Sequence, residues 1–169
     1  MLLAKLAASR STCLSRPNGT VIVKNKRVIA TGYNGSMPGV THCSDEGFCY
    51  RRSIEAGDSG KYDFCRSIHS EANALAQAAR FGTSVEGADV YNTLMPCYVC
   101  TKLLASAGIK TVFYELEYES IDKKRDRLWK EAIKDAGIKI RKLKIKTRTL
   151  KFVKPFVEQQ TAKRRLVSQ

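Results

Sequence analysis

The sequence predicts an α/β fold, and three observations carry the prediction. β-branched runs alternate with helix-forming stretches through the second half, those stretches end at glycines, and 43% of the 169 residues are hydrophobic, enough for one buried core. Leu2 to Arg10 is rich in Ala and Leu and reads as a helix. Thr20 to Lys24 and Arg27 to Thr31 are β-branched runs joined by Asn25-Lys26, a pair that suits a tight hairpin. Gly32 to Arg66 is rich in glycine, holds three cysteines and lacks periodicity, so it reads as one long loop; that length calls for a functional or metal-based reason. Ile68 to Phe81 is an Ala-rich helix closed by Gly82, followed by a strand from Asp89 to Leu94. Cys97 to Ala107 is a helix closed by Gly108, and Lys110 to Tyr114 a further strand. Ile121 to Ala136 is an amphipathic helix closed by Gly137, before a last strand from Ile138 to Leu143. The resulting β-α-β-α-β order implies parallel strands with right-handed crossovers.

Composition removes several functional classes. No stretch approaches the roughly 18 consecutive apolar residues of a membrane span, because Lys or Arg breaks the longest candidates. Met1 to Ser44 contains no acidic residue, a composition with a faint transit-peptide character. Lys5 interrupts its short apolar run, however, and no cleavage site follows, so the expected location is intracellular and cytoplasmic. In a reducing compartment six cysteines are metal ligands or free thiols before they are three disulfides. The net charge of +14 is lopsided: from Lys139 onward eleven basic residues face the single acid Glu158, leaving about +4 for the first 138 residues. We therefore divide the chain into a domain, 1–143, and a basic C-terminal extension, 144–169, whose default role is a solvated tail and whose sharper role is a polyanion contact.

Two short motifs carry the chemistry. His69-Ser70-Glu71 opens one helix and Pro96-Cys97-Tyr98-Val99-Cys100 opens another. Cys97 and Cys100, three apart, face the same way and suit one tetrahedral zinc, and the positive end of the helix dipole favours their thiolates. His69 makes a third ligand, which leaves the fourth position of a catalytic zinc for water, and Glu71 is the natural proton carrier. Residues two apart in a helix point about 200° from one another, so His69 and Glu71 can share a site only if the helix begins at His69. H-x-E followed by P-C-x-x-C is the signature of the zinc-dependent nucleobase deaminases.

Thr31-Gly32-Tyr33-Asn34-Gly35-Ser36, Arg10-Ser11-Thr12-Cys13, Cys65-Arg66-Ser67-Ile68-His69-Ser70-Glu71 and Ala107-Gly108-Ile109-Lys110 closely resemble the deoxycytidylate (dCMP) deaminases of bacteria and phages. The resemblance runs from about Ala8 to about Lys142; where the family commonly has His-Ala-Glu, this chain has Ser70. It implies a three-layer α-β-α sandwich of the cytidine deaminase type around a mixed five-stranded sheet. The implied reaction is hydrolysis of dCMP to dUMP and ammonia, supplying dUMP for dTMP synthesis, with attack at C4 and Glu71 moving the protons. It also implies Asn34 as the nucleoside-binding asparagine, although Tyr33-Asn34-Gly35 is equally good turn chemistry. For the substrate phosphate Arg66 is the first candidate, with Ser36 and Tyr118 behind it. Relatives are commonly homohexamers, activated by dCTP with Mg2+ and inhibited by dTTP, at a site near Gly32, Tyr33, Asn34 and Gly35.

Cys13, Cys43, Cys49 and Cys65 remain, in or beside the long loop. They fit a second, structural zinc that would order the loop, with His42 able to replace one thiolate; free buried thiols are the alternative. Two rival functions share the zinc motif: a tRNA adenosine deaminase, and a non-catalytic zinc-containing nucleic-acid-binding protein. The cysteine loop with Tyr33-Asn34-Gly35 argues against the first and Glu71, which is not a ligand, against the second, so neither nucleic acid nor a membrane is the expected partner.

Overall fold

A computed structural model describes residues 1–54, 64–117, 123–145 and 151. In chain order the elements are α1 (Leu2–Ala8), β1 (Gly19–Lys24), β2 (Arg27–Tyr33), β3 (Gly35–Ser36), α2 (Cys43–Glu46), α3 (Tyr50–Ser53) and β4 (Ser67–Ile68). They continue with α4 (Ser70–Arg80), β5 (Asp89–Leu94), α5 (Tyr98–Ser106), β6 (Thr111–Leu116), α6 (Lys123–Asp135) and β7 (Lys139–Lys142). The main sheet runs β2-β1-β5-β6-β7. β1 is antiparallel to both β2 and β5, whereas β5, β6 and β7 are parallel. This is the mixed five-stranded α/β sheet that the resemblance implies, and its β5-β6-β7 part has the parallel strands that the element order predicts.

The local chemistry of each junction explains the agreement. Asn25 and Lys26 both take positive φ, 53° and 63°, as a two-residue hairpin with right-handed strand twist requires. α4 and α5 end alike: Thr83 N–H reaches Ala78 O at 2.8 Å and Ile109 N–H reaches Leu104 O at 3.0 Å, bonds that need the left-handed Gly82 and Gly108 before them. Ile22, Ala30, Ala74, Ala78, Ala88, Val90, Leu104, Ile109, Val112 and Ile138 form the core.

The strand register fixes the layers. Gly19 faces α1: a Cβ there would meet Ala4 O at 2.1 Å and Ala8 N at 2.4 Å. Its neighbour Thr20 points to the other face. Thr20 pairs with Gly32 on one side and with Asn92 on the other, so Gly32, Thr20 and Asn92 make one row across three strands. A Cβ on Gly32 would meet Ser70 O at 2.1 Å and Ala74 N at 2.6 Å, which shows how tightly α4 lies on this row. α1 and α4 thus cover opposite faces of the sheet, as a three-layer sandwich demands.

The segment read as one loop is not structureless. β2 extends to Tyr33, β3 pairs with β4 in a small antiparallel ladder, and α2 and α3 add single helical turns. Elements of two to four residues leave no periodic pattern to read. The C-terminal extension is described only at residues 144, 145 and 151. Among the described residues no helix is long and apolar enough to cross a membrane.

Candidate metal centre and active site

Two helix N-termini build the centre. His69 is the N-cap of α4, with extended backbone (φ −66°, ψ 150°), which places Glu71 as the second residue of the helix. The geometric condition set by the H-x-E spacing is therefore met: His69 stands outside the helical repeat and Glu71 inside it. Cys97 is the N-cap of α5 rather than its first helical residue, and its Sγ accepts from Cys100 N at 3.5 Å. Capping replaces the shared helix face as the reason the two sulfurs meet.

His69 Nδ1 lies 3.5 Å from Cys97 Sγ and 3.4 Å from Cys100 Sγ. The ligand atoms of His69, Cys97 and Cys100 all fall within 4.8 Å of one another. Zn–N and Zn–S bonds of about 2.1 and 2.3 Å at tetrahedral angles put N and S about 3.6 Å apart. The donor set and its spacing thus fit zinc. His69 is exposed, Cys97 half-buried and Cys100 buried, so the group opens to solvent on one side, as a catalytic site must.

The electrostatics suit ligation. Cys97 is drawn down to about 4, first by its hydrogen bond with Cys100 and, against the effect of burial, by His69. Cys100 is pushed up by the same hydrogen bond and by burial, so one sulfur is a thiolate and the other keeps a proton that a bound metal would displace. The hydrogen bond to Cys97 raises His69. Burial, foremost, raises Glu71, which is only 2% exposed. Its Oε1 accepts from Asn92 Nδ2 at 2.7 Å and its Oε2 from Ser70 Oγ at 3.0 Å.

Other residues singled out in the sequence sit elsewhere or are already engaged. Asn34 is buried; its Oδ1 accepts from Ser11 Oγ at 2.6 Å and Asn18 N at 2.7 Å, and its Nδ2 donates to Arg16 O at 2.8 Å. Its amide ties 11–18 to the end of β2. Ser36 Oγ donates to Thr41 O at 3.2 Å, and Gly32 serves the close packing of α4. Arg66 Nη1 contacts both carboxylate oxygens of Glu46 at 2.8 and 2.9 Å, and its guanidinium lies 3.8 Å over the Tyr50 ring. Tyr118 lies outside the described residues. Among the described residues Cys13, Cys43, Cys49 and Cys65 do not join a group of three close ligand atoms, and His42 Nδ1 is 3.2 Å from Thr12 Oγ1. Cys65 is nevertheless near enough to Cys13 and Cys49 for their charge to raise it, after the larger effect of burial.

Residues 1–116 match the family model of the cytidine and deoxycytidylate deaminase zinc-binding region. The chain belongs to this family. As a family member it is 44% identical to the ComE operon protein 2 of Bacillus subtilis over 121 residues, 71% of this chain and 59% of that protein. It is 41% identical to the deoxycytidylate deaminase of Schizosaccharomyces pombe, over 70% of this chain and 36% of that enzyme. The chain therefore spans roughly a third to three fifths of these two relatives. With the deoxycytidylate deaminase of Enterobacteria phage T4 it shares 35% identity over 82% of this chain and 84% of that enzyme. The crystal structure of dCMP deaminase from the cyanophage S-TIM5 in complex with dCMP and dUMP matches with TM-score 0.65 and 27% identity, covering 83% of this chain and 91% of that one.

The residues that sequence reasoning missed are Asn92 and Thr20, both fully buried, and the hydroxyl of Ser70. Their signal was a polar side chain at inward positions of β-branched strands, which acquires meaning only once the register is known.

Proposed function

We propose that this deaminase-family protein hydrolyses dCMP to dUMP and ammonia, providing dUMP for dTMP synthesis. The observation that carries the reading is the group His69, Cys97 and Cys100 beside the buried carboxylate of Glu71. Further support comes from the phage T4 relative and the S-TIM5 complex, whose names specify this substrate. Zinc held by the three residues would supply Lewis-acid chemistry that makes water a nucleophile near neutral pH. Glu71 takes one proton from the attacking water and delivers it to N3 of the base, then takes the proton of the new C4 hydroxyl and passes it to the amine as the C4–N4 bond breaks. Burial raises its pKa, which suits a group that must both accept and give a proton.

Arg66 would have to leave Glu46 to reach a phosphate, whereas Arg51, which reaches Ser15 Oγ at 3.4 Å, is a second cation whose charge acts on His69. Asn34 would contribute to the sugar side and Ser36 to the phosphate side through the segment they hold in place. A second, structural zinc on Cys13, Cys43, Cys49 and Cys65, with His42 as alternate ligand, would draw these thiols closer than they stand. The family resemblance alone supports a homohexamer, and a dCTP–Mg2+ activator and a dTTP inhibitor acting near Gly32 to Gly35; the division into a domain 1–143 and a basic extension 144–169 rests on the charge distribution.

Ultraviolet-monitored deamination of dCMP, beside deoxycytidine, cytidine, dCTP and a tRNA, tests the reading. Preferred turnover of dCMP is expected. Turnover of the nucleosides with dCMP untouched would overturn the substrate assignment.

A further inference from the structure

Glu71 does not sit in an apolar pocket. Asn92 donates to its Oε1 and Ser70 to its Oε2, at 2.7 and 3.0 Å. Behind both stands Thr20, whose hydroxyl lies 2.8 Å from Ser70 Oγ and in short contact with Asn92 Oδ1. The four side chains close a ring of contacts, in which Thr20 gives its one hydroxyl proton to Asn92 Oδ1 and stands against Ser70 Oγ while Ser70 donates to Glu71. Thr20, Ser70 and Asn92 are each 0% exposed, so water does not compete for any of its bonds.

The ring follows from the fold. Thr20 and Asn92 are register partners on β1 and β5, and they face α4 from the same row as Gly32. Gly32 has no side chain to hold α4 away, so Ser70 descends onto Thr20 and Glu71 onto Asn92. Two polar side chains in this row and a third on α4 are an expensive way to fill a core, since each would be destabilising if unpaired. Apolar residues of similar size would pack the interface without that liability. What the polar set adds is a fixed carboxylate: with a different donor on each oxygen, rotation about its last torsion is blocked. Both oxygens keep a lone pair for a proton in flight. The held carboxylate lies against Cys100, one of the three candidate zinc ligands, so its direction is set relative to the centre.

We propose that Ser70 and Thr20 are positioning residues that, with Asn92, hold the Glu71 carboxylate in the orientation that proton transfer requires. This rests on Glu71 being the proton carrier of the proposed deamination. Ser70 acts directly on Oε2 and Thr20 acts through Ser70 and Asn92; neither touches the substrate. Their contribution therefore falls on kcat and not on KM.

The test measures kcat and KM for dCMP, zinc content and Tm in wild type, Ser70→Ala, Thr20→Val and Thr20→Ser. The expected result is about a tenfold fall in kcat for Ser70→Ala, the size of one lost hydrogen bond to a charged reacting group, with KM and zinc unchanged. Thr20→Val should lose several-fold in kcat, while Thr20→Ser, which keeps the hydroxyl, should recover it. Wild-type kcat in both Ser70→Ala and Thr20→Val overturns the proposal. So does a loss that follows zinc content or Tm, or that Thr20→Ser does not repair. The Thr20 pair decides the matter should Ser70→Ala fail to fold. Absence of dCMP turnover in zinc-loaded wild type would remove the functional reading and the proposal together, which separates that failure from one confined to the ring.

Discussion

Cys97 and Cys100 lie at the start of a nine-residue helix fed by a sheet strand, whereas Cys43 and Cys49 open helical turns of four residues within a glycine-rich loop. Both regions hold cysteines at the beginnings of helices, yet only the first gathers three ligand atoms among the described residues. The difference lies in what stands behind the helix. α4 and α5 are clamped by core residues Ala74, Ala78 and Leu104, so their N-termini meet at a fixed place. α2 and α3 have Cys43 as their only buried residue, so packing does not aim their thiols. Burial of the helix, more than the cysteine spacing, makes a metal centre.

The largest effect that would sharpen this contrast is on Glu71. Glu71→Gln should lower kcat at least about a thousandfold, within the range of a lost general acid–base group, while zinc content stays at the wild-type value. Because burial raises the carboxyl's pKa, its ionised form weakens the fold above that pKa, and the neutral amide escapes this. Tm at pH 8 should therefore equal or exceed wild type, and thermal melts beside the assay check both halves.

Exchanging one cysteine from each region comes next. Cys100→Ser should remove zinc from the centre and abolish turnover. Cys65→Ser should keep turnover and, through loss of the proposed second zinc, lower Tm by roughly 5–10 °C, the size of a few kcal/mol lost from an ordered loop. Elemental analysis with a dCMP assay reads both, and complete inactivity of Cys65→Ser with zinc still at the centre would break the comparison.

Proton competition gives a smaller, graded effect. Cys100 and His69 are both raised, so metal must displace protons from them, and zinc affinity rises with pH. Competition with a chelator should show affinity falling by about tenfold for each unit of pH lowered through the range where His69 protonates, for each proton displaced. A flat profile would contradict the ligand set.

Two glycines compare the packing of the two regions, and the second has the smallest effect. Gly32→Ala forces a Cβ to 2.1 Å from Ser70 O and should destabilise by roughly 2–4 kcal/mol. Gly39→Ala, with nothing within 4 Å and φ of 83°, meets only backbone strain of about 1 kcal/mol. Chemical denaturation of the two variants tests whether the sheet region is the tighter.

What the sequence made legible follows the same division. His69, Glu71, Cys97 and Cys100 were readable because helix starts are local: Pro96, a capping residue and the spacing from His69 to Glu71 suffice to place them. The elements of the main sheet were readable from periodicity and closing glycines. Thr20 and Asn92 were not, because their meaning depends on the register that pairs two residues 72 apart in the chain. Nor was the engagement of Arg66 by Glu46, twenty residues earlier across the loop. Asn34 fitted both a turn and a binding role in sequence, and its three hydrogen bonds to 11–18 give it a structural one.

The most direct measurement is dCMP turnover per bound zinc in wild type and in Glu71→Gln, each loaded with metal and assayed together. The account predicts steady conversion to dUMP in wild type and none above background in the variant at equal zinc content. Equal turnover in both, or none in zinc-loaded wild type, would contradict it.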